Sequence, residues 1–196
     1  MGRWEPDARG RLAKAALELY AEYGYEQTTV AEIAKRAGLT ERTFFRHYAD
    51  KREVLFSGAG ELEELIVRTV ADAPESAVPL DALSAGLDAV AEAFTDRREF
   101  ARRRHAVITA NPELQERELI KLASMAAALA ASLRGRGIAE PTASLAAEAG
   151  VAVFKVAFER WIAPGEERPM RQLIRESLTE LKAVTSGVQA AHGSRR

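Results

Sequence analysis

Residues 38–52 read "GLTERTFFRHYADKR" and place two adjacent phenylalanines among basic and hydroxyl side chains. Thr40 is a favoured N-cap residue, so we expect a short helix over residues 41–48. Phe44 and Tyr48 are four residues apart and therefore share one face of that helix. When these two side chains turn inward, the outward positions are those of Arg42, Thr43, Phe45, Arg46 and His47. One phenylalanine thus anchors the helix, and the other lies on its exposed face.

The preceding residues predict a second short helix that packs against the first. Thr29 and Glu32 form a capping-box pattern at the start of "VAEIAKRA" (residues 30–37). Gly38 ends this helix and supplies the positive φ that a tight turn between helices needs. The two helices can share a small core of Ile33, Ala37, Leu39, Phe44 and Tyr48. This arrangement meets the physical requirement of a helix-turn-helix.

Positive charge is concentrated in this region, although the chain as a whole has a formal net charge of −1. Within residues 35–52, two acidic residues accompany six basic ones: Lys35, Arg36, Arg42, Arg46, Lys51 and Arg52. Cations and donors on a short exposed helix are typical of base-edge recognition in the major groove of DNA. Hydroxyl groups at helix starts suit phosphate oxygens, and Lys51 is placed for a backbone phosphate. The predicted DNA contacts are Thr29, Thr40, Arg42, Thr43, Phe45, Arg46, His47 and Lys51.

The stretch "TTVAEIAKRAGLTERTFFRHYADKREVL" (residues 28–55) resembles the DNA-binding domain of the TetR family of transcriptional regulators. The resemblance implies an N-terminal three-helix domain and a homodimer, usually a repressor, that binds a palindromic operator and is released by a small ligand. The family usually has tyrosine, with its hydroxyl on a phosphate, where this chain has Phe45, so Phe45 offers only apolar contact to a sugar or a thymine methyl. Glycine is common at the position of Arg42, which makes Arg42 a candidate for an added base or phosphate contact. The alternative is an ordinary helical hairpin with a solvated charged face.

The rest of the chain predicts an all-α fold, because alanine, leucine and glutamate dominate and no run of alternating β-branched residues occurs. A first helix is predicted over residues 7–23, and Asp50 is expected to cap a long helix over residues 51–71. A hinge is predicted over residues 72–79. Further helices are expected at about 80–95, 97–110, 112–135, 142–163 and 169–186. The predicted domains are a DNA-binding domain (1–52), a larger helical effector-binding and dimerisation domain (53–186) and a disordered tail (187–196).

Composition limits the possible function classes. The 196 residues include no cysteine, which excludes disulfides and thiolate metal sites and fits a reducing cytoplasm. The most apolar stretch, residues 144–162, contains Glu148 and Lys155, so a buried helix is expected and not a membrane span. The three histidines lack metal-ligand spacing, and no P-loop, dinucleotide fingerprint or nucleophile elbow occurs. We therefore predict no enzyme activity, no metal and no cofactor.

The last two predicted helices carry wide apolar faces, and the first of them has a run of small residues: Ala146, Ala147, Ala149, Gly150 and Ala152. Small side chains permit close approach of a partner helix. The family resemblance implies that residues 142–186 pair with their symmetry mates in a four-helix dimer bundle. The alternative is burial within one subunit, since the pattern of one chain does not distinguish the two.

Residues 97–133 are similar to the C-terminal domain of a TetR subgroup that includes the mycofactocin-system regulator. This similarity implies an acyl-CoA-like effector. An apolar cavity is predicted from Phe94, Phe100, Ile108, Met125, Phe154, Phe158 and Trp161. Arg104 shares a helix face with Phe100 and Ile108 and is suited to phosphates at the mouth of a pocket. The alternatives are core aromatics beside a solvated basic face or, for the whole chain, a helical small-molecule carrier with a non-functional DNA module.

Overall fold

The computed structural model describes residues 7–186. This part of the chain is all-helical, as predicted. Its helices are α1 (Ala8–Tyr23), α2 (Val30–Arg36), α3 (Glu41–His47), α4 (Ala59–Ala71), α5 (Pro79–Ala93), α6 (Arg98–Thr109), α7 (Pro112–Gly135), α8 (Thr142–Ile162) and α9 (Met170–Thr185). The predicted tail over residues 187–196 lies outside the described residues.

The start of α4 differs from the prediction. The helix expected over residues 51–71 begins only at Ala59, and residues 51–58 form successive turns. Gly58 has a φ of 90°, which a right-handed helix cannot accommodate. Asp50 is a cap as predicted, because its Oδ1 accepts hydrogen bonds from the backbone N–H groups of Arg52 (2.8 Å) and Glu53 (3.1 Å). Asp50 therefore caps the start of a turn segment (residues 51–58) and not the start of a long helix.

Packing divides the described chain into two compact units. The first unit contains residues 7–59 and 100–120, and the second contains residues 60–99 and 121–186. Residues 53–59 and 100–120 thus pack in the same unit as the N-terminal helices. The predicted functional boundary after residue 52 stays a prediction.

The first unit has a continuous apolar core. Helices α1, α2 and α3 supply most of it, and the turn segment after α3 adds Val54, Leu55 and Phe56. Val107 and Ile108 of α6 and Leu114 of α7 complete this core. Because α3 is anchored in the same core, the position of its exposed face is fixed by packing on all these elements.

The second unit is built on the mutual packing of α5, α8 and α9. Helix α4 passes so close to α5 that a Cβ atom added at Gly86 would lie 2.8 Å from Cγ1 of Ile66. The guanidinium of Arg136 binds the C-terminal end of α4, where it donates to the carbonyl oxygens of Val70 (3.2 Å) and Ala73 (2.5 Å). The Val70 carbonyl also accepts from the backbone N–H of Ala73 (3.4 Å), and Ala73 lies beyond α4, so Arg136 ties the segment after α4 to the end of that helix.

Candidate DNA interface and effector cleft

The start of α2 is fixed by the capping box that the sequence predicted. Thr29 Oγ1 accepts from the backbone N–H of Glu32 (3.3 Å), and Glu32 Oε2 accepts from the backbone N–H of Thr29 (2.8 Å). The Glu32 carboxylate accepts from both the backbone N–H and the hydroxyl of Thr29, and these hydrogen bonds hold its pKa below the usual value. Gly38 then turns the chain with a φ of 66°, so α3 follows at once.

Helix α3 is anchored from its inner face. The side chain of Phe44 is 0% exposed, and its ring centroid lies 5.6 Å from that of Tyr48. The Tyr48 hydroxyl donates to the carbonyl oxygen of Arg9 (3.0 Å), which ties the end of α3 to α1. At the start of α3, Thr40 Oγ1 accepts from the backbone N–H of Thr43 (3.2 Å). The inward assignment that was made from spacing is therefore confirmed for Phe44 and Tyr48.

The outer face of α3 carries exposed cations beside an exposed ring. Arg42, Phe45, Arg46 and His47 are exposed, whereas Thr43 is half-buried. Arg36 is bound to Glu22 by two hydrogen bonds, and Arg52 is paired with Asp50 at 2.6 Å. Among the described residues, Arg42 and Arg46 have no ion-pair partner. Arg42 and Arg46 on the outer face of α3 therefore keep their positive charge unneutralised, as does the exposed Lys35 on α2.

Lys51 has a different environment from the one expected for a phosphate ligand. Its ammonium group donates to the carbonyl oxygens of Tyr25 (2.9 Å), Glu26 (3.1 Å) and Thr28 (3.2 Å). It also lies 4.4 Å from the ring centroid of Tyr25. An ammonium group has three donors, and all three have partners here. Lys51 therefore holds the loop between α1 and α2, and contact with a phosphate would require it to release carbonyl oxygens.

Arg104 is also bound within the first unit, which does not support its expected place at the mouth of an effector pocket. Its Nε donates to the carbonyl oxygen of Leu55 (2.5 Å), and it pairs with Glu118 at 3.1 Å. The guanidinium lies 5.2 Å from the ring centroid of Phe56. Burial lowers the pKa of Arg104, and the Glu118 carboxylate opposes this shift. Arg104 thus fixes the turn segment that follows α3.

Four aromatic side chains of the second unit meet, and all four were predicted to line a cavity: Phe94, Phe154, Phe158 and Trp161. The ring centroid of Phe94 lies 5.7 Å from that of Trp161 and 5.9 Å from that of Phe158. Phe154 and Phe158 are stacked at 5.9 Å. These rings form a continuous apolar wall, which we call the aromatic cluster.

A cleft of about 490 Å³ lies beside the aromatic cluster and is lined by Phe94, Trp161, Met170, Arg98 and Arg171 among others. This volume lies within the range of small-molecule sites. The Arg98 guanidinium lies 5.3 Å from the Trp161 ring centroid and donates to the carbonyl oxygens of Glu166 and Arg168. Arg171 pairs with Glu92 at 3.2 Å. The cleft therefore combines an apolar wall with two guanidinium groups and with the carboxylates of Glu92, Asp96 and Glu167.

Helix α8 has two distinct faces. Ala147 and Gly150 are buried, and a Cβ atom added at Gly150 would lie 3.3 Å from Cδ2 of Leu83 in α5. Gly150 thus serves packing within the subunit and is not available to a partner helix, contrary to its expected role in dimerisation. The opposite face exposes apolar side chains at helical spacing: Leu145 (67%), Ala152 and Val156 (49%).

Two family models match the chain. "Bacterial regulatory proteins, tetR family" matches residues 12–57, and "MftR C-terminal domain" matches residues 77–186, which is more than half of the chain. The chain belongs to the TetR family. The first match contains the anchored α3, and the second contains the aromatic cluster and α8.

Curated relatives include other regulators of this type. TcmR of Streptomyces glaucescens, an HTH-type transcriptional regulator, is 39% identical over 82 residues, which are 42% of this chain and 36% of TcmR. MftR of Mycobacterium tuberculosis is 32% identical over 117 residues, which are 59% of this chain and 58% of MftR. The chain thus spans less than two thirds of the length of each of these relatives.

Solved TetR-family structures share the fold. FadR of Bacillus subtilis in complex with stearoyl-CoA has a TM-score of 0.63 at 19% identity, covering 92% of this chain and 99% of that one. FadR of Thermus thermophilus in complex with lauroyl-CoA has a TM-score of 0.56 at 22% identity, covering 96% of this chain and 98% of that one. At these identities the likeness concerns the fold.

The remaining predicted effector residues are divided between the two units of this TetR-family chain. Ile108 is fully buried in the core of the first unit, so it is not free to line a cavity. Phe100 is 43% exposed and also belongs to the first unit. Met125 lies half-buried on α7 in the second unit, and its contact with a ligand stays a prediction.

The cleft also contains arginines that the sequence did not predict to bind a ligand. Arg98 contacts carbonyl oxygens 68 and 70 residues further along the chain. No local pattern signals such a distant contact. In the part of the chain that the structure describes, no group of three or more potential metal ligands occurs. None of the described helices meets the length and hydropathy needed to cross a membrane.

Proposed function

We propose that this chain is a ligand-responsive transcriptional regulator, most simply a repressor, that binds a palindromic operator as a homodimer and is released by an apolar effector. The observation that carries the proposal is the outer face of α3, where Arg42 and Arg46 flank Phe45 on a helix anchored by Phe44 and Tyr48. Operator DNA is the partner that fits this exposed cationic helix. Since the DNA of a bacterium lies in its cytoplasm, we place the protein there.

The proposed contacts divide into base edges and phosphates. Arg46 and Arg42 are exposed and unpaired within the described chain, which suits bidentate donation to guanine O6 and N7. His47 and Thr43 stand beside them as further donors. Thr29 and Thr40 lie at the starts of α2 and α3, where backbone N–H groups and hydroxyls suit phosphate oxygens. A phosphate at Thr29 would replace the Glu32 carboxylate that the N–H and hydroxyl of Thr29 now bind.

Replacing Arg46 with alanine is expected to weaken binding to the preferred operator by about 1–3 kcal/mol, because one bidentate base contact is lost. Binding to random DNA should change much less, so specificity falls. Arg36→Ala is the matched control, since Arg36 is already neutralised by Glu22. Fluorescence anisotropy measures the affinity for an operator enriched from random DNA and the affinity for random DNA itself. Equal affinity of Arg46→Ala and the parent protein would remove Arg46 from the reading face.

The proposed dimer uses α8 and α9, within residues 142–186. Support comes from the exposed apolar face of α8, with Leu145, Ala152 and Val156 at helical spacing. In a monomer these apolar side chains would stay in contact with water, whereas a partner helix would bury them and stabilise the dimer. Two copies of α3 about 34–36 Å apart then enter successive major grooves on one face of the duplex.

Ala152→Arg is expected to convert the dimer into monomers, because a charge at the centre of the exposed α8 face would be buried against its own copy. Ala127→Arg introduces the same side chain at an exposed position of α7 and is expected to leave the dimer intact. Light scattering at micromolar concentration gives the masses. A monomeric parent protein would contradict the proposed assembly, and a dimeric Ala152→Arg would move the interface elsewhere.

The proposed effector is an acyl-CoA or a similarly apolar compound with an anionic group. The aromatic cluster supplies an apolar wall for an acyl chain, and Arg98 and Arg171 are the cations that line the cleft. A phosphate bound there would replace the Glu166 and Arg168 carbonyl oxygens at Arg98 or the Glu92 carboxylate at Arg171. The FadR proteins that share this fold were solved with stearoyl-CoA and lauroyl-CoA, which supports the same class of ligand here. The family model "MftR C-terminal domain" covers residues 77–186, which include all the residues that line the cleft.

A further inference from the structure

We propose that Phe45 recognises the methyl group of a thymine in each half of the operator. The inference rests on the proposed DNA-binding function and specifies one base that the protein reads. Its starting point is an exposed aromatic ring in an otherwise polar surface. Phe45 is 55% exposed, although its neighbour Phe44 is fully buried.

The ring of Phe45 is held in a defined position. Its centroid lies 5.4 Å from that of Phe44, with the two ring planes at 81°, which is a favourable edge-to-face contact. Phe44 in turn is fixed by the core of the first unit. Phe45 therefore offers an apolar ring on the outer face of α3, next to the anchored Phe44.

The surroundings of Phe45 specify the chemistry of its partner. Arg42 and Arg46 lie three residues before it and one residue after it, and both are exposed. Arg42 lies one helical turn from both Phe45 and Arg46, so it can neighbour each of them on the outer face of α3. The two cations attract this face to DNA. A phenyl ring cannot hydrogen-bond to a phosphate or to a polar base edge. The C5 methyl of thymine is the apolar group that the major groove presents among base edges.

Uracil substitution tests the inference, because it removes this methyl group and leaves base pairing unchanged. The probe is duplex DNA enriched by the parent protein from a random pool, with each thymine replaced in turn by deoxyuridine in both half-sites. We expect one position per half-site at which the change weakens binding about fourfold, as for the loss of one buried methyl group. Fluorescence anisotropy gives the dissociation constants.

Variants of Phe45 connect this loss to the ring. Phe45→Ala is expected to bind the unmodified operator more weakly and to be insensitive to uracil at the same position. Phe45→Tyr keeps the ring and is expected to keep the sensitivity. Because Phe45 is largely exposed, thermal melting should show that Phe45→Ala folds like the parent protein.

Three results would overturn the inference while leaving the proposed function intact. These are a parent protein insensitive to uracil at every position, a Phe45→Ala variant that keeps the sensitivity, and an operator without a fixed A·T pair in each half-site. A loss of affinity for all DNA sequences in Phe45→Ala would instead assign the ring to a sugar. Failure to enrich any sequence would overturn the proposed function together with this inference.

Discussion

Replacing Phe44 with alanine is expected to lower the free energy of unfolding by about 3–5 kcal/mol, the range for removing a fully buried aromatic ring from a packed core. Phe44 has no exposed surface and contacts the rings of Phe45 and Tyr48. The cavity left by its ring would lie beneath α3, so operator binding should be lost together with stability. Urea denaturation followed by circular dichroism measures the change.

Phe45→Ala is the matched control, because the same chemical change is made one residue further along the same helix. Its ring is 55% exposed, so the free energy of unfolding should change by less than about 1 kcal/mol. Operator binding should weaken in this variant without a loss of helix content. If the two variants were equally stable, the inward assignment of Phe44 would be wrong.

The contrast between Phe44 and Phe45 explains why this part of the fold could be predicted from the sequence. The i, i+4 spacing of Phe44 and Tyr48, the cap at Thr40 and the turn at Gly38 are all local features. Each of them indicates the same inner face, so agreement among them determined the orientation of α3. The capping box at Thr29 was predictable for the same reason.

The start of α4 shows the limit of this local reading. The segment over residues 51–58 contains helix formers after a good cap, which indicated a helix. In the structure its carbonyl and side-chain groups are engaged by other elements: Arg104 binds the carbonyl of Leu55, and Arg117 pairs with Glu53 at 2.6 Å. Such tertiary contacts, together with the φ of Gly58, override propensity, and neither partner can be identified from sequence spacing.

The packing partner of each face of α8 could not be predicted from the sequence, because the helix is apolar on nearly all sides. The small-residue run suggested one partner for all its members, but Gly150 packs against Leu83 whereas Ala152 is exposed. Periodicity indicates that residues share a face, but it does not indicate what covers that face. For the same reason, Ile108 and the aromatic cluster were predicted together although they lie in different units.

The effector should lower operator affinity by about 5–150-fold, the usual range of coupling free energy between two sites. A ligand can do this only if it binds the DNA-incompetent arrangement more tightly than the DNA-bound one. We expect acyl-CoAs to act with increasing potency as the chain lengthens, because each methylene buried against the aromatic cluster adds about 0.8 kcal/mol. The measurement is a DNA-binding titration below micelle concentrations, with free CoA as the control for the head group.

Two variants separate the acyl and anionic parts of this response. Phe94 lines the cleft and contacts three other rings, so Phe94→Ala should raise the acyl-CoA concentration needed by about tenfold through lost apolar contact. Arg171→Gln should weaken the response to acyl-CoA, whereas Arg134→Gln, which removes an arginine paired with Glu140 outside the cleft, should not. Each variant should keep the ligand-free affinity for DNA, since none of the substituted residues lies in the first unit.

If no acyl-CoA lowers operator affinity, the acyl-CoA assignment is wrong. If acyl-CoA acts equally on Phe94→Ala and the parent protein, the effector binds elsewhere than the cleft.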